Sequence, residues 1–541
     1  MTGAREQHAD VVILGGGVGG CAAALAATRA GADVVMTEET AWIGGQLTSQ
    51  AVPPDEHPWI ESFGCTASYR AYRNAVRQYY RDHYPLTVAA RTNRELNPGS
   101  GGVSRLCHEP RVALAVLTQM LAPAVSAGRL TILTEHKPVE AEVEGDNIRS
   151  ITAKSLRTGG RVVLHGPVFI DATELGDVLP LANVEYVTGF EGIDETGEPH
   201  GAPEPQPDNM QAVTCCFAVD YLEGEDHTIE RPEQYERWRD WVPELSPPWP
   251  GKMLDWTMAN PVTLEPRPMA FVPGGNEWEG GKYNLWAYRR IADPSHFAPG
   301  TYPGEISTIN WPQNDYIHGV FTGTDEELFA RNLHDAKQLS LSLLYWMQTE
   351  AVSPGGMAGW KGLRLRRDAV GTEDGLAMYP YIREARRILA EFTVLEQHIS
   401  TEARMDLTDQ DRDTVLPEHF PDSVGIGAYR IDLHPSTGGD NYVDVSSLPF
   451  QIPMGALIPR RLENLLAASK NIGTTHITNG CYRVHPCEWN IGESAGALAV
   501  YALRQRESLR AVRATGRLLA EFQQELGRAG IPIEWPRVSP L

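Results

Sequence analysis

Three observations predict an α/β fold organised on a parallel sheet. Residues 11–20 read VVILGGGVGG, an apolar strand running into Gly15, Gly17 and Gly20 at G-x-G-x-x-G spacing, with the alanine-rich stretch Cys21 to Ala30 behind it. A second apolar run, Asp33 to Thr37, follows Gly31 and ends on Glu38 and Glu39. Far downstream, FIDATELGDVLP (Phe169 to Pro180) gives another strand end and turn, carrying Ala172, Thr173, Gly176 and Asp177. Each piece has a physical role. Four consecutive apolar residues suit a strand buried on both faces. Gly15 allows a tight turn, Gly17 lets backbone approach a pyrophosphate, and Gly20 lets helix pack on strand. The first helical residues, Val18 and Gly19 among them, present the positive end of the helix to the anion. Gly31 is a natural helix stop. Glu38, with Glu39 beside it, ends the second strand where a ribose hydroxyl is held. The order of these parts predicts a Rossmann-like dinucleotide-binding unit.

Two further stretches narrow the dinucleotide. WIGGQLT (Trp42 to Thr48) brings Gly44, Gly45, Gln46, Leu47 and Thr48 soon after the acid, and NIGESAGALA (Asn490 to Ala499) opens a late helix with Asn490, Ile491 and Gly492. The set resembles the FAD-dependent oxidoreductases of the glutathione-reductase-like superfamily. The resemblance implies FAD as cofactor, its pyrophosphate on the first glycines, its ribityl chain at Gly176-Asp177, and the last helix pointing at the flavin pyrimidine. Val139, in the strand VEAEVEG, joins the implied cofactor contacts. No second G-x-G-x-x-G follows a strand, so a pyridine-nucleotide domain of the glutathione-reductase kind is not expected.

The segments NWPQNDY (310–316), YIREARRI (381–388), AYRIDLHP (428–435) and IPMGALIPRRLENLLAASKNIGTTH (452–476) resemble one bacterial FAD-dependent oxidoreductase group. It is loosely related to fumarate reductase and succinate dehydrogenase flavoproteins, and some members carry the name xanthan lyase. The likeness runs from about Asp10 to Leu503. One departure is His485-Pro486 after Arg483-Val484, where the group's pattern has a small or apolar residue.

With 541 residues, the chain is long enough for two or more core-bearing units. A hydrophobic share of 42% and a charged share of 22% are ordinary for a globular protein, which sets disorder aside. A net charge of −23 argues against nucleic-acid and anionic-lipid partners, though a few arginines can still focus positive potential in a cleft. The N-terminus shows no apolar export segment, and no run reaches the ~20 apolar residues of a membrane span. Seven scattered cysteines without C-x-x-C spacing predict neither a zinc site nor a redox pair, and fit a reduced, cytoplasmic protein; no metal is expected.

The predicted organisation is a discontinuous FAD-binding domain (1–182 and 452–508), a mixed α+β substrate or cap domain (183–451) and a helical tail (509–541). Helices are expected within 56–84, over 109–121, 325–349 and 491–506, and over Tyr381 to Leu395. In the last of these, Ile382, Ala385, Leu389 and Phe392 form an apolar stripe, and Arg383, Arg386 and Arg387 an opposite basic face. Gly192 to Asn209 reads as a surface loop.

Because a flavin brings its own redox reactivity, the protein's candidates are residues that bind substrate or accept a proton. His476, Arg483 and His485 lie between the last strand and the late helix, which in the resembling family is next to the ring. His434 shares a strand face with Asp432, and Arg386 lies in the basic cluster. These five are the predicted catalytic residues, Arg386 and Arg483 holding an anionic group and a histidine acting as base. His57 and the thiol of Cys107 are secondary candidates. The expected activity is hydride transfer between a polar organic substrate (C–OH, C–NH or CH–CH) and FAD. The alternatives are a fumarate-reductase-type reduction of an unsaturated carboxylate and a non-enzymatic electron carrier. The expected partner is a small-molecule substrate, and the oligomeric state stays open, a homodimer included.

Overall fold

The computed structural model describes residues 5–353, 356–537 and 539–541. At its centre is a five-stranded parallel sheet in the order Leu465–Ala467, Val168–Asp171, Val11–Leu14, Val34–Glu38, Leu130–Thr134. Val11–Leu14 is wholly buried because it has neighbours on both sides and layers above and below, which is why its sequence does not alternate. The helix Val18–Arg29 leaves this strand through the glycine turn. A second sheet, in the order Arg5–His8, Arg161–His165, Asn147–Ser155, His136–Glu144, carries the middle of the first third.

Against the first helix lies a 21-residue helix, His485–Gln505, and glycines make the approach possible. A Cβ on Gly492 would fall 2.0 Å from the Gly19 carbonyl oxygen, and one on Gly496 would fall 2.3 Å from that of Ala23. The two helices thus touch backbone to backbone, and residues far apart in sequence build one face of the glycine turn.

A second core gathers Trp238, Trp286, Trp311, Leu339, Leu343 and Met347 around an antiparallel sheet (Arg290–Ala292, Ile306–Ile309, Phe217–Tyr221, Leu363–Leu365) and the helix Glu326–Thr349. Asp325 caps that helix, accepting from the Leu328 amide at 2.7 Å. Among the described residues no helix is long and apolar enough to cross a membrane.

The expected helices at 56–84, 109–121 and 325–349 occur as Ala67–His83, Pro110–Ser126 and Glu326–Thr349. Three expectations need correction. Tyr381 to Leu395 is not a helix: it runs extended through the interior, with Arg387–Ile388 paired to Tyr186–Val187. Its three arginines do not share a solvated face. Arg383 pairs with Asp315, Arg386 with Asp177, and Arg387 with Glu191 and Glu384, all largely buried. The apolar spacing at 3.6 residues was coincidental, because both sides of the segment are covered. The last long helix begins at His485, six residues before Ile491, and the stretch from His476 is itself a helix, His476–Tyr482. The 192–209 excursion is partly internal, since Glu198 is buried and accepts from Thr475 Oγ1 at 2.7 Å.

Gly492→Ala should therefore force the two helices apart, costing about 1–3 kcal/mol and lowering Tm together with cofactor retention. Gly527→Ala, in an exposed helix where a Cβ meets nothing within 4 Å, should leave retention unchanged and raise stability slightly. Thermal melts and bound-flavin absorbance check both.

Candidate active site

The glycine turn is built as its sequence requires. Gly15 has φ +97°, and a Cβ there would lie 2.2 Å from the Ala172 carbonyl oxygen. A Cβ on Gly20 would lie 2.0 Å from the Gly15 oxygen, and one on Gly19 would lie 1.8 Å from the Ala468 oxygen. The end of the second strand closes on the turn: the Gly15 amide donates to Thr37 Oγ1 (3.2 Å) and the Gly16 amide to Glu38 Oε2 (3.0 Å). Glu38 Oε1 accepts from the Thr40 amide at 2.8 Å and hydroxyl at 2.7 Å. Burial pushes the Glu38 carboxyl up to about 7 against the pull of those bonds, and burial with Asp177 nearby raises Glu39 to about 7 as well. A narrow cleft holds Gly15, Gly17, Glu38, Glu39, Thr173 and Asp177 together. Its far wall is Lys137 and Pro138. Val139 itself is the extra residue of a bulge between the Pro138–Ala153 and Glu140–Thr152 pairs and does not line the cleft, and Glu140 turns outward to Arg161.

From the glycine turn a strip of polar groups leads inward. The 44–48 segment docks on the turn through the Gly44 amide and the Gly16 carbonyl (2.7 Å), with Gly44 at φ +108° and Gly45 at φ +48°. Leu47 is buried in the main core, and Thr48 Oγ1 ties the loop by donating to the Ile43 carbonyl at 2.6 Å. On the other side Ala172 donates to the Leu14 carbonyl (2.7 Å), and Thr173 Oγ1 joins Asp171 to the Asp177 amide, at 2.7 Å each. Gly176, at φ +67°, lets that turn close. Between the two walls sits the Glu174 carboxylate. Its Oε1 lies 2.7 Å from a Cβ position on Gly17 and 2.6 Å from one on Gly45, so an anion already fills the space the glycines leave. Lys470 Nζ, fully buried, pairs with Glu174 (2.5 Å) and Glu488 (3.4 Å); Glu488 in turn accepts from the Gly19 amide at 3.3 Å and from Gln46.

The last helix meets this strip at its first residue. His485 Nδ1 accepts from the Asp55 amide at 3.0 Å, so its proton sits on Nε2, and burial with Arg289 and Lys470 nearby holds the ring neutral, its pKa down at about 3. Asn490, Ile491 and Gly492 are a turn and more further on and serve the packing of that helix. Asn490 Oδ1 accepts from the Ile426 amide (2.9 Å) and its Nδ2 donates to Ser494 (3.1 Å); Ile491 is in the core; Gly492 abuts Gly19. The end aimed at the strip is the His485–Glu488 turn.

Asp55, whose amide donates to His485, lines a cavity of about 540 Å³. Arg483 forms part of its wall, its Nη1 donating to the Tyr381 hydroxyl (2.8 Å) and its Nη2 to the Asp432 carbonyl (3.0 Å) and carboxylate (3.3 Å). His434 lines the same cavity, with Nδ1 2.5 Å from Asp315 Oδ2 and Nε2 3.8 Å from Asp432. Asp315 is fully buried, yet Arg383 and His434 outweigh that burial and hold its carboxyl down at about 2. His57 sits at the rim, its Nε2 donating to the Gly64 carbonyl (2.9 Å).

The structure therefore brings His434 and Arg483 to the cavity and sets His485 behind its Asp55 wall. It sets His476 and Arg386 elsewhere, which corrects the expectation that all five converge. His476 stacks on Phe190 and pairs with Glu384 at 2.9 Å. Arg386 clasps the Gly176 turn, donating to the Leu175 carbonyl (2.8 Å) and Asp177 (3.2 Å). Both are held by acids invisible to local periodicity, buried Glu384 and half-buried Asp177. The Cys107 thiol is buried and pushed up to about 12 by that burial, so it is not a nucleophile. Sequence reasoning missed Asp315, Tyr381, Arg289 and Asp55. Asp315 and Tyr381 stand in segments singled out by resemblance, and nothing local marked them as facing a cavity.

The profile of the family described as FAD dependent oxidoreductase matches residues 10–526. The chain belongs to that family. No curated protein matches it significantly. Among solved structures, a geranylgeranyl bacteriochlorophyll reductase-like protein from Thermoplasma acidophilum is 9% identical, over 97% of this chain and 85% of that one, with TM-score 0.33. The glycerol-3-phosphate dehydrogenase of Bacillus halodurans complexed with FAD is 12% identical over 40% of each chain (TM-score 0.23). The L-proline dehydrogenase of P. horikoshii is 13% identical over 36% of this chain, with TM-score 0.18, and the chain spans about a quarter (26%) of its length.

The cofactor is FAD, and the residues present fit it. The glycine cradle already holds a carboxylate, Glu38 stands at the strand end beside it, and buried polar atoms without a protein partner follow the strip inward: Glu174 Oε1, Gln46 Oε1, both ends of the Gln50 amide, and His485 Nε2.

An ionised Glu38 accepts a ribose hydroxyl more strongly than a neutral one. Its raised pKa means that the unliganded site is half-neutral near pH 7. FAD affinity should thus rise from about pH 6 to about pH 8 as the carboxyl ionises. Glu38→Gln should flatten that rise and weaken binding by about 1.5–3 kcal/mol. Fluorescence titration of the apoprotein with FAD reads both; an unchanged pH profile in the variant would remove Glu38 from the ribose.

Proposed function

We propose that the protein is a dehydrogenase or oxidase that removes hydride from a C–OH or C–NH carbon of a polar organic substrate held in the cavity that Asp55 and His434 line. In this reading residues 183–451 form the cap over an FAD-binding domain of 1–182 and 452–508. The observation that carries it is the Asp315–His434 pair, whose histidine lines a charged cavity that Asp55 connects to His485. Bound FAD supplies the hydride acceptor. Asp315, ionised throughout the physiological range, takes the Nδ1 proton of His434 in a hydrogen bond and fixes the tautomer. Nε2 is the atom that this reading assigns to receive the substrate's hydroxyl or amine proton as hydride leaves. Arg483, braced by Tyr381 and Asp432, presents a fixed positive charge in the same wall. A bare electron carrier has no use for a cavity of this size and charge, which weighs against that alternative.

A second reading runs the other way: an unsaturated carboxylate is reduced, with the Arg483–Tyr381 pair supplying the proton. It is favoured by that 2.8 Å contact in the cavity wall.

Anaerobic mixing with a panel of alcohols, hydroxy acids and amines should bleach the flavin of the wild type with at least one compound. His434→Ala should slow that bleaching about 10²–10⁴-fold with the flavin spectrum intact, and Asp315→Asn should slow it less. Full-rate bleaching in His434→Ala would exclude it as the base. Failure of every donor, with reoxidation of the dithionite-reduced enzyme by an unsaturated dicarboxylate, would favour the second reading.

A further inference from the structure

We propose that Arg289 is the anchor of a carboxylate-binding subsite in this cavity, so that the substrate is an acid bearing the oxidised carbon close to its carboxylate. The proposal deepens the functional reading above and rests on it for the identity of the reacting group. Its starting point is that the arginines of the wall are unequally engaged. Arg430 is committed to Asp444, Arg483 to Asp432 and Tyr381, and Arg383 to Asp315, Thr214 and the Ala212 carbonyl; Arg267, also in the wall, has no ion pair among the described residues but is only half-buried, so water can solvate it. Arg289 is only 7% exposed, yet among the described residues its guanidinium makes a single hydrogen bond, from Nη1 to Asp55 at a long 3.3 Å.

A guanidinium offers five N–H donors in a rigid fork. One long contact leaves four of them without a protein acceptor, in a site where removing a charge from water is expensive. The Nε is buried and partnerless. The Tyr288 ring lies 5.0 Å from its Cζ and screens one face without supplying an acceptor. A buried guanidinium with one long ion pair to Asp55 and four donors left over fits a further planar anion that accepts two parallel N–H bonds, and a carboxylate has that geometry. The location agrees with the chemistry. Asp55, the one partner, gives its backbone amide to His485. Tyr381 and Tyr429 are close enough to interact with the Arg289 charge, and Tyr381 also touches Arg483. The anchor therefore shares Asp55 with His485, and both Arg289 and His434 line the one cavity.

The probe is benzoate, with benzamide as its neutral counterpart of nearly equal shape, titrated into the FAD-loaded protein and followed by calorimetry and by the visible flavin spectrum. Neither readout needs turnover. Benzoate should bind saturably and perturb the flavin, and benzamide should bind at least about tenfold more weakly. Arg289→Met should raise the benzoate Kd on the order of thirtyfold or more, Arg289→Lys should recover part of it, and benzamide binding should scarcely change. Absence of saturable benzoate binding, equal binding of benzoate and benzamide by the wild type, or an unchanged benzoate Kd in Arg289→Met would each overturn the subsite. The wild-type benzoate-to-benzamide ratio decides the matter even where the methionine variant does not fold. Benzoate held by Arg289 while His434→Ala bleaches at full rate would leave the subsite standing and remove the base.

Discussion

Gly19 and Gly492 touch through their backbones because neither carries a Cβ, and this approach joins the two ends of the chain into one site. Were the helices a side chain further apart, the N-terminal turn at His485 would lift from the polar strip, Glu488 would leave the Gly19 amide, and Lys470 would lose one of its two acids. The sheet repeats the constraint one layer down. Leu465–Ala467, from the last fifth of the chain, pairs with Val168–Asp171, which pairs with Val11–Leu14. The segment from His476 to His485 is thus delivered to the site by elements that are themselves pinned to the N-terminal glycine turn.

Buried charge is the second organising force. Arg383 and Arg387 are almost wholly enclosed, as are Lys470, Asp315 and Glu384, and each finds an opposite charge within hydrogen-bonding distance. Breaking such a pair from one side costs about 3–5 kcal/mol, so the interior between the two cores is held in a single register. Within this lattice most cations are committed to protein. Arg289, whose one pair is the long contact to Asp55, keeps donors to spare and so gives the cavity a reason to bind something, just as the Asp315–His434 pair gives it a base in the function proposed.

The parts of this arrangement that were legible in the sequence are those with a local physical signature. Glycine spacing after an apolar strand, a glycine stop and a terminal acid located the turn, Glu38 and the first helix, because each is dictated by backbone conformation within a few residues. Alternation located the His434 face. The segment 381–395 misled for the same local reason: its apolar residues recur at helical spacing, but its arginines answer to acids at 177, 191 and 315, and only tertiary contact reveals them. Asp432, two residues from His434, was the expected partner of that histidine. The acid that grips it is Asp315, from a distant segment, at 2.5 Å rather than 3.8 Å. Asn490 and Gly492 were read as the start of the last helix because a glycine-containing run resembles one; Pro486, at the true first turn, carried the better signal.

The central claim is that one FAD runs from Glu38, over the Gly15–Gly20 turn, to His485, and ends at the cavity lined by Arg289, Arg483 and His434. The most direct test is a crystal structure of the FAD-loaded protein. The account predicts density for the ribose within hydrogen-bonding distance of Glu38, the pyrophosphate at the glycine turn with the Glu174 carboxylate displaced from it, and the isoalloxazine at the cavity mouth beside His485. A ring lying outside that cavity, or a glycine turn still filled by Glu174 with FAD bound elsewhere, would contradict it.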